Sequence, residues 1–387
     1  MSFSPGLETF FATNFSANRL RIGVVTNFTG RDRHGVHLVR RLAADNRFEL
    51  KRIFTPEHGF DSDAPDGEHV ASSHHQELNV DIVSLYGQSK KPTAEQLQDI
   101  DLLVYDIQDV GVRFYTYIST LRNILDAAGE TGLPVAVLDR PDVLGGVVVE
   151  GPMLEQDLSS FVGHLPIALR YGLTPGELAL WWQKTANIQT EVKVYPCQGY
   201  YCPSLFDDLD FPWFKPSPSM PDTMTAAFYP GTCLFEGTEL SEGRGTDEPF
   251  RNLGAPWVNG KEWAGCLQDL LPDNITVKAT SFIPDFGKCA GEKCCGINLK
   301  SLTRSIDNAV YTGVAALYAL IKTHPGQVAF PGRPGLEKPF IDYLAGTSLI
   351  RKGLLADEKP SDILKKACKG TENFAMARQE FFIYQRR

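Results

Sequence analysis

The sequence predicts an α/β fold: a doubly wound, mostly parallel sheet followed by a smaller α+β domain. Three observations predict it. Short β-branched apolar runs alternate with helix-period segments through roughly the first 200 residues. Two long Pro-, Gly- and aromatic-rich stretches then interrupt that rhythm, at 203–221 and 231–254. Strand and helix signals resume after about residue 256.

Residues 21–27 read as a central strand, because the apolar residues run on without polar alternation and so suit burial on both faces. Leu38, Val39, Leu42 and Ala43 recur at helical spacing within 37–46. Strands follow at 49–54 and 80–85. Pro92-Thr93 opens a short helix with Thr93 as its cap. A strand over 102–107, a helix over 119–128 and a strand over 134–138 complete the alternation, which implies right-handed crossovers between parallel strands. Past Gly145 a helix over 175–185 starts with Pro175 in its first turn and carries Trp181-Trp182, and a strand follows at 191–195. The stretches 203–221 and 231–254 read as long ordered loops, a kind that tends to carry function. A helix over 261–271, strands at 275–282 and 295–299, and a helix over 306–322 form the rest. The expected domains are 1–255, a sheet domain with long cleft loops, and 256–387, a smaller α+β domain that closes the cleft.

A chain of 387 residues is too long for one small core. A net charge of −9 argues against nonspecific nucleic-acid binding, which needs a basic face, and no basic run suggests an anionic membrane surface. No apolar run is long enough to predict a membrane span. The first residues lack a basic segment followed by an apolar one, so a cytoplasmic location is expected for the chain as it stands. A periplasmic or secreted one follows if a longer precursor is trimmed. Of eight cysteines, Cys197 and Cys202 lie five apart while Cys289, Cys294 and Cys295 cluster; neither spacing suits zinc, so reduced thiols and no metal are expected. Gly30 and Gly35 follow the first strand without a dinucleotide fingerprint, and Val36-His37 stands where a phosphate loop needs Lys and a hydroxyl. No cofactor is expected.

The chemistry gathers at the strand ends. The first strand ends in Thr26-Asn27 and the second in Glu57-His58. The fourth runs into Asp106, Gln108, Asp109 and Arg113, and the fifth into Asp139-Arg140. Parallel strands place these tips on one edge, where open α/β sheets bind ligands. The Gly-rich segment with Glu236, Glu239, Glu242 and Arg244 can line the same crevice, and the rigid Pro-rich stretch around Ser217 can bring hydroxyls to it. Two sets of carboxylates among aromatics such as Tyr86, Phe114, Tyr115, Tyr117 and Trp213 fit carbohydrate chemistry. Glycoside cleavage needs an acid for the leaving oxygen and usually a second carboxylate, and aromatic faces stack on sugar rings.

Seven blocks in order carry a resemblance to a known family. They are Phe54-Thr-Pro-Glu-His-Gly59, Ser84-Leu-Tyr-Gly87 with Pro92-Thr93, Asp106-Ile-Gln-Asp-Val-Gly-Val-Arg-Phe-Tyr-Thr-Tyr-Ile118 and Leu138-Asp-Arg-Pro141. Gly172-Leu-Thr-Pro-Gly-Glu-Leu-Ala179, Pro216-Ser-Pro-Ser-Met-Pro221 and Glu236-Gly-Thr-Glu-Leu-Ser-Glu-Gly-Arg-Gly-Thr246 continue the series. Together they resemble the exo-β-N-acetylmuramidases of the NamZ type. The sequence departs from that pattern at Arg140-Pro-Asp-Val143, usually Arg-Pro-Asn-Pro, and at Pro216-Ser-Pro-Ser219, usually Pro-Ser-Pro-Asn.

The resemblance implies a Rossmann-like domain, a smaller C-terminal domain and an active site between them. It implies hydrolysis of terminal β-1,4-linked N-acetylmuramic acid from the non-reducing ends of peptidoglycan fragments, with muropeptides or disaccharides as partners. Glu57 matches the glutamate of the family's Pro-Glu-His-Gly motif and is the expected catalytic acid, with His58 orienting it or the substrate. A leaving-group acid must keep its proton near neutral pH, which desolvation at an apolar strand end favours. Glu239, Glu236, Glu242 and Asp106 are the candidates for a partner carboxylate, and assistance by the substrate's 2-acetamido group needs none. The lactyl carboxylate of muramic acid calls for a cation, for which Arg113, Arg140 and Arg244 are candidates. A noncatalytic muropeptide-binding protein and, behind it, a nucleotide-dependent enzyme are the alternative readings.

Overall fold

A computed structural model describes residues 2–15, 19–62, 64, 67–68, 70–87 and 89–386. The large sheet takes its strands from β1 (Leu20–Thr26), β2 (Phe48–Thr55), β3 (Ser73–His75), β4 (Val80–Ser84), β5 (Leu102–Asp106), β6 (Val135–Leu138) and, further along, β9 (Val192–Tyr195). Its order is β3-β4-β2-β1-β5-β6-β9, parallel throughout except for the short antiparallel edge strand β3. Between β6 and β9 lies a two-stranded antiparallel pair, β7 (Glu150–Met153) and β8 (Ala168–Arg170). The chain leaves β1 in one direction for β2 and β4, then returns to its other side for β5 and β6. The strand order therefore reverses between β1 and β5.

Both faces of the sheet are covered, as its continuous apolar strands require. On one face α1 (Gly6–Ala12) and α2 (Leu38–Ala44) bury Leu7, Phe10, Leu38 and Leu42 against Ile22, Val24, Ile53 and Val104. On the other lie α3 (Ala94–Leu97) and α4 (Tyr117–Thr131), with Leu121, Ile124 and Leu125 of α4 packed in the cluster that holds Val25, Leu103 and Val137. Alternate residues of β1 thus reach opposite cores, the two-residue period of a strand. Helix α5 (Pro175–Thr185) starts at a capping box in which Thr174 and Glu177 satisfy each other's backbone N–H groups.

A second region opens with a helix, α6 (Thr223–Thr232), which starts between the two stretches expected as loops and runs into the second of them. Strands β10 (Asn252–Ala255), β11 (Ile275–Phe282) and β12 (Cys294–Ser301) form an antiparallel sheet in the order β10-β12-β11, with α7 (Gly260–Gln268) against it. Helix α8 (Ala309–Thr323) crosses α6 at Gly231 and Gly313. A Cβ added at Gly231 would lie 1.9 Å from the Ala309 carbonyl oxygen, so only glycine permits that approach. Four short helices end the chain: α9 (Phe340–Ala345), α10 (Leu349–Leu355), α11 (Pro360–Ala367) and α12 (Thr371–Ala377). One buried apolar cluster runs from the α4 face of the large sheet through α6 and α8 to α9 and α10. The two regions therefore share a core. Among the described residues no helix is long and apolar enough to cross a membrane.

Candidate active site

Glu57 owes its position to the way β2 ends. Pro56 follows the last strand residue, and His58 and Gly59 come next with φ of 69° and 76°. Two successive left-handed residues turn the chain sharply, a conformation that glycine adopts freely and histidine rarely. Glu57 is left buried, 9% exposed. Its Oε1 accepts from the Gly67 N–H at 3.0 Å and its Oε2 from the Thr116 hydroxyl at 2.5 Å. Thr116 occupies the N-cap position of α4 but makes no capping bond, because its hydroxyl is committed to Glu57. A hydroxyl both donates and accepts, so by rotating it serves either a carboxylate or a carboxylic acid. The His58 ring is fixed by Nδ1 against the Ala64 carbonyl at 2.7 Å and lies edge-on to Tyr117.

Glu57 and His58 line a cavity of about 490 Å³, within the range of small-molecule sites. Tyr86, Phe114, Tyr115, Tyr117 and Tyr229 give it aromatic surface. Tyr115 packs edge-on to both Tyr117 and Tyr229, at centroid distances of 4.8 and 5.9 Å. The Tyr117 hydroxyl donates to the Pro216 carbonyl, which ties the Pro-rich stretch to this wall.

Charge comes from the second region. Glu236, Glu242, Arg244, Lys288 and Arg333 line the same cavity. Arg244 donates to Glu242 Oε1 at 2.9 Å and to Glu236 Oε1 at 2.8 Å. Lys288 Nζ donates to the carbonyls of Phe235, Glu236 and Leu240 at 2.9–3.1 Å. It also lies 3.1 Å from Glu242 Oε2, an oxygen that receives no aligned hydrogen bond. That contact is charge attraction, since the three ammonium hydrogens serve the carbonyls. Arg333 reaches Glu236 Oε2 at 3.4 Å. Burial works against the ionised form of Glu242, yet Lys288 and Arg244 outweigh it and hold the carboxyl below its usual range. Within this cluster two carboxylates face three cations, one formal positive charge in excess that suits an anionic group on a ligand, while Glu57 and Glu68 line the rest of the cavity.

The structure therefore brings together Glu57, His58, Tyr115, Tyr117, Glu236, Glu242 and Arg244. Tyr86 and Phe114 line it too, while Asn27, Asp106, Gln108, Arg113, Asp139, Arg140, Ser217 and Glu239 do not. The crevice at the strand-order reversal is filled by protein. There Arg140 pairs bidentately with Asp106, at 2.6 and 2.8 Å, and donates to the Arg31 carbonyl. Burial pushes the Asp106 carboxyl up, against the pull of Arg140. Gln108 donates its amide to the Asp109 and Pro141 carbonyls, and Asn27 Oδ1 accepts from both the N–H and the hydroxyl of Thr29. Asp139 accepts from Thr174, Gly176 and Tyr384 at 2.7–2.8 Å, and burial pushes its pKa up to about 7.

Arg113 is buried and donates to the carbonyls of Pro152, Ile167, Leu344 and Ala345. Arg113 and Arg140, expected as candidate ligand cations, thus act as internal ties in this structure, their guanidiniums bonded to backbone carbonyls and to Asp106. Ser217 is buried, and its neighbour Pro218 lines the cavity instead. Glu239 is exposed and accepts from the Ala329 N–H at 3.0 Å, so this carboxylate stands outside the cavity. The departure at Asp142 is buried, accepting from the Leu144 N–H at 2.8 Å, while Ser219 lies on an adjoining cavity.

Sequence reasoning did not single out Thr116, Lys288 or Arg333. Thr116 carried a usable signal, a hydroxyl residue directly ahead of a helical run. Lys288 and Arg333 lie in loops with no local pattern. Among the described residues no group of three His, Cys, Asp or Glu side chains is placed to hold a metal ion, and all eight cysteines are free thiols.

A family model described as exo-β-N-acetylmuramidase NamZ, N-terminal, matches residues 22–224, and its C-terminal counterpart matches residues 227–384. A peptidoglycan β-N-acetylmuramidase NamZ of Bacillus subtilis (strain 168) is 38% identical over 364 residues, covering 94% of this chain and 87% of that protein. Two crystal structures of DUF1343 family proteins from Bacteroides fragilis NCTC 9343 are similar at 28% identity. One has a TM-score of 0.89 with 99% of both chains covered, the other 0.76 with 100% of both.

Proposed function

This chain belongs to the NamZ family of exo-β-N-acetylmuramidases, and from that membership we propose that Glu57 is the acid that protonates the departing glycosidic oxygen. The protein is an exo-acting glycosidase of peptidoglycan. The observation that carries the assignment is the setting of Glu57: a buried carboxyl group in the aromatic cavity, held by a donor that can reverse its role. When Glu57 gives up its proton, the Thr116 hydroxyl turns from accepting to donating, so both protonation states keep a partner. His58 shapes the turn that presents Glu57.

The substrate is a peptidoglycan fragment whose non-reducing end is a β-1,4-linked N-acetylmuramic acid. Its lactyl carboxylate pairs with the excess cation of the cluster, through Arg333, Lys288 or Arg244. With Glu239 outside the cavity, Glu236 and Glu242 are the expected partner carboxylates that line it with Glu57, and Glu68 lines it as well. Glu242, bound by two cations, suits stabilising positive charge on the sugar better than accepting a proton. Glu236 or the substrate's own acetamido group then completes the reaction.

The test is Glu57→Gln, which keeps the shape and removes the proton. Its turnover of a chromogenic β-N-acetylmuraminide should fall by about 10²–10⁴-fold. Near-wild-type turnover would falsify the assignment. The same assay on a β-N-acetylglucosaminide, lacking the lactyl carboxylate, should give a much lower kcat/KM with the wild-type enzyme.

A further inference from the structure

A second cavity, of about 640 Å³, adjoins the first. Pro218 and Phe286 line both. Three chain segments cross from one cavity to the other. Pro218 is shared and Ser219 belongs to the second. Arg244 lines the first, and Gly245 and Thr246 line the second. Asp285 lines the second, Phe286 is shared, and Lys288 lines the first. The middle and last of these segments are locked together. The Asp285 N–H donates to the Gly245 carbonyl at 2.9 Å, and a Cβ at Gly245 would lie 2.6 Å from the Phe286 nitrogen. The two cavities therefore adjoin at Pro218 and Phe286, along three segments of which two are held together.

The lining of the second part differs in kind from the first. Phe286 and Ile283 are 44% and 56% exposed, an apolar surface open to solvent. Around them the side chains of Lys215, Asp247 and Asp285 have no hydrogen-bond or ion-pair partner among the described residues. Open apolar surface beside polar groups of both signs matches a neutral amino sugar, which offers a flat apolar face and a rim of hydroxyl and amide groups.

We propose that this second cavity is the subsite for the saccharide on the leaving side of the scissile bond, the amino sugar released as the terminal residue is cut away. The inference rests on the reading that the Glu57 cavity holds the terminal sugar. A glycan whose end residue fills that cavity must continue along an open path, and the cavity past Pro218 and Phe286 adjoins it.

Two substrates separate the subsites. An aryl β-N-acetylmuraminide occupies the first cavity and has no second sugar; a peptide-free tetrasaccharide of alternating N-acetylglucosamine and N-acetylmuramic acid, with muramic acid at its non-reducing end, engages both. The variants are Lys215→Ala, Ile283→Ala and their combination, all exposed positions outside the first cavity. In the double variant kcat/KM for the tetrasaccharide should fall about tenfold, the loss of roughly 1.4 kcal/mol of binding to the transition state. The aryl substrate should stay within about twofold. An unchanged ratio of the two activities, whether both fall or neither does, overturns the subsite and leaves the Glu57 reading standing. If the wild-type enzyme cleaves neither substrate, the reading of the first cavity falls and takes this inference with it.

Discussion

At the tip of β1 the His37 ring caps α2 through Nδ1, which accepts from the Val39 N–H at 3.2 Å, while Nε2 donates to the Asn27 carbonyl at 2.8 Å. That pair of bonds requires the neutral ring. Burial, with the nearby charges of Arg31 and Arg140 adding to it, pushes its pKa down to about 4, and the bond to Asn27 only partly opposes this. Because the unfolded chain takes up a proton near the ordinary 6.5 and the folded one near 4, the unfolded state binds more protons between those values. The stability held by the neutral ring is complete above pH 6.5 and is lost as pH falls towards 4. It amounts to roughly 2–3 kcal/mol by pH 4.5. Urea unfolding at pH 7 and pH 4.5 should therefore show a larger acid loss in the wild type than in His37→Asn, which retains a capping side chain without a titrating ring. Equal losses in the two proteins would remove His37 from the account of acid sensitivity.

Helix α6 leads into the charged half of the site and packs against α8. The turn Cys233–Gly237, which bears Glu236, follows α6 directly, and Gly231 in that helix abuts the backbone of α8. Gly231→Ala must force the helices apart, because the new Cβ would meet the backbone of Ala309 and Gly313 instead of a flexible side chain. Overpacking of this kind costs about 1–3 kcal/mol. It should also displace Glu236 and Arg244, so kcat/KM should fall together with the melting temperature. A variant that is destabilised yet fully active below its melting temperature would show that α6 does not set the position of Glu236. Sequence patterning did not reveal α6. It is buried all round, so it has no polar stripe, and it contains Pro230. The C-terminal helices α9 to α12 are six to eight residues long, too short for periodicity to stand out.

Across the whole molecule, the two regions are stitched by buried cations and by the returning tail. Arg113, just after β5, holds the C-terminal end of α9 through Leu344 and Ala345. Tyr384 donates to Asp139 at 2.7 Å, and Arg386 pairs with Glu177 at 2.5 Å. Removing Arg113 leaves buried carbonyls without donors, so Arg113→Leu should cost about 3 kcal/mol or more. Since its side chain does not line the cavity, the preference for β-N-acetylmuraminide over β-N-acetylglucosaminide should survive in whatever fraction folds. A selective loss of that preference would return Arg113 to the list of ligand cations.

The sequence alone determined the elements whose reasons are local. The continuous apolar runs of β1, β2, β5 and β6 were legible, as were the cap Thr93, Pro175 in the first turn of α5 and the strand-end placement of Glu57, because period, capping and strand termination depend on neighbours within a few residues. Only the tertiary structure decided which polar strand ends face the cavity and which are consumed inside. Asp139 and Arg113 look as available in sequence as Glu57, but they meet Tyr384 and Ala345, 245 and 232 residues further along the chain. Glu57 meets Thr116 and Gly67 and keeps its place at the cavity wall. A buried polar group must find a partner, and no local pattern reveals whether that partner is the protein or the ligand.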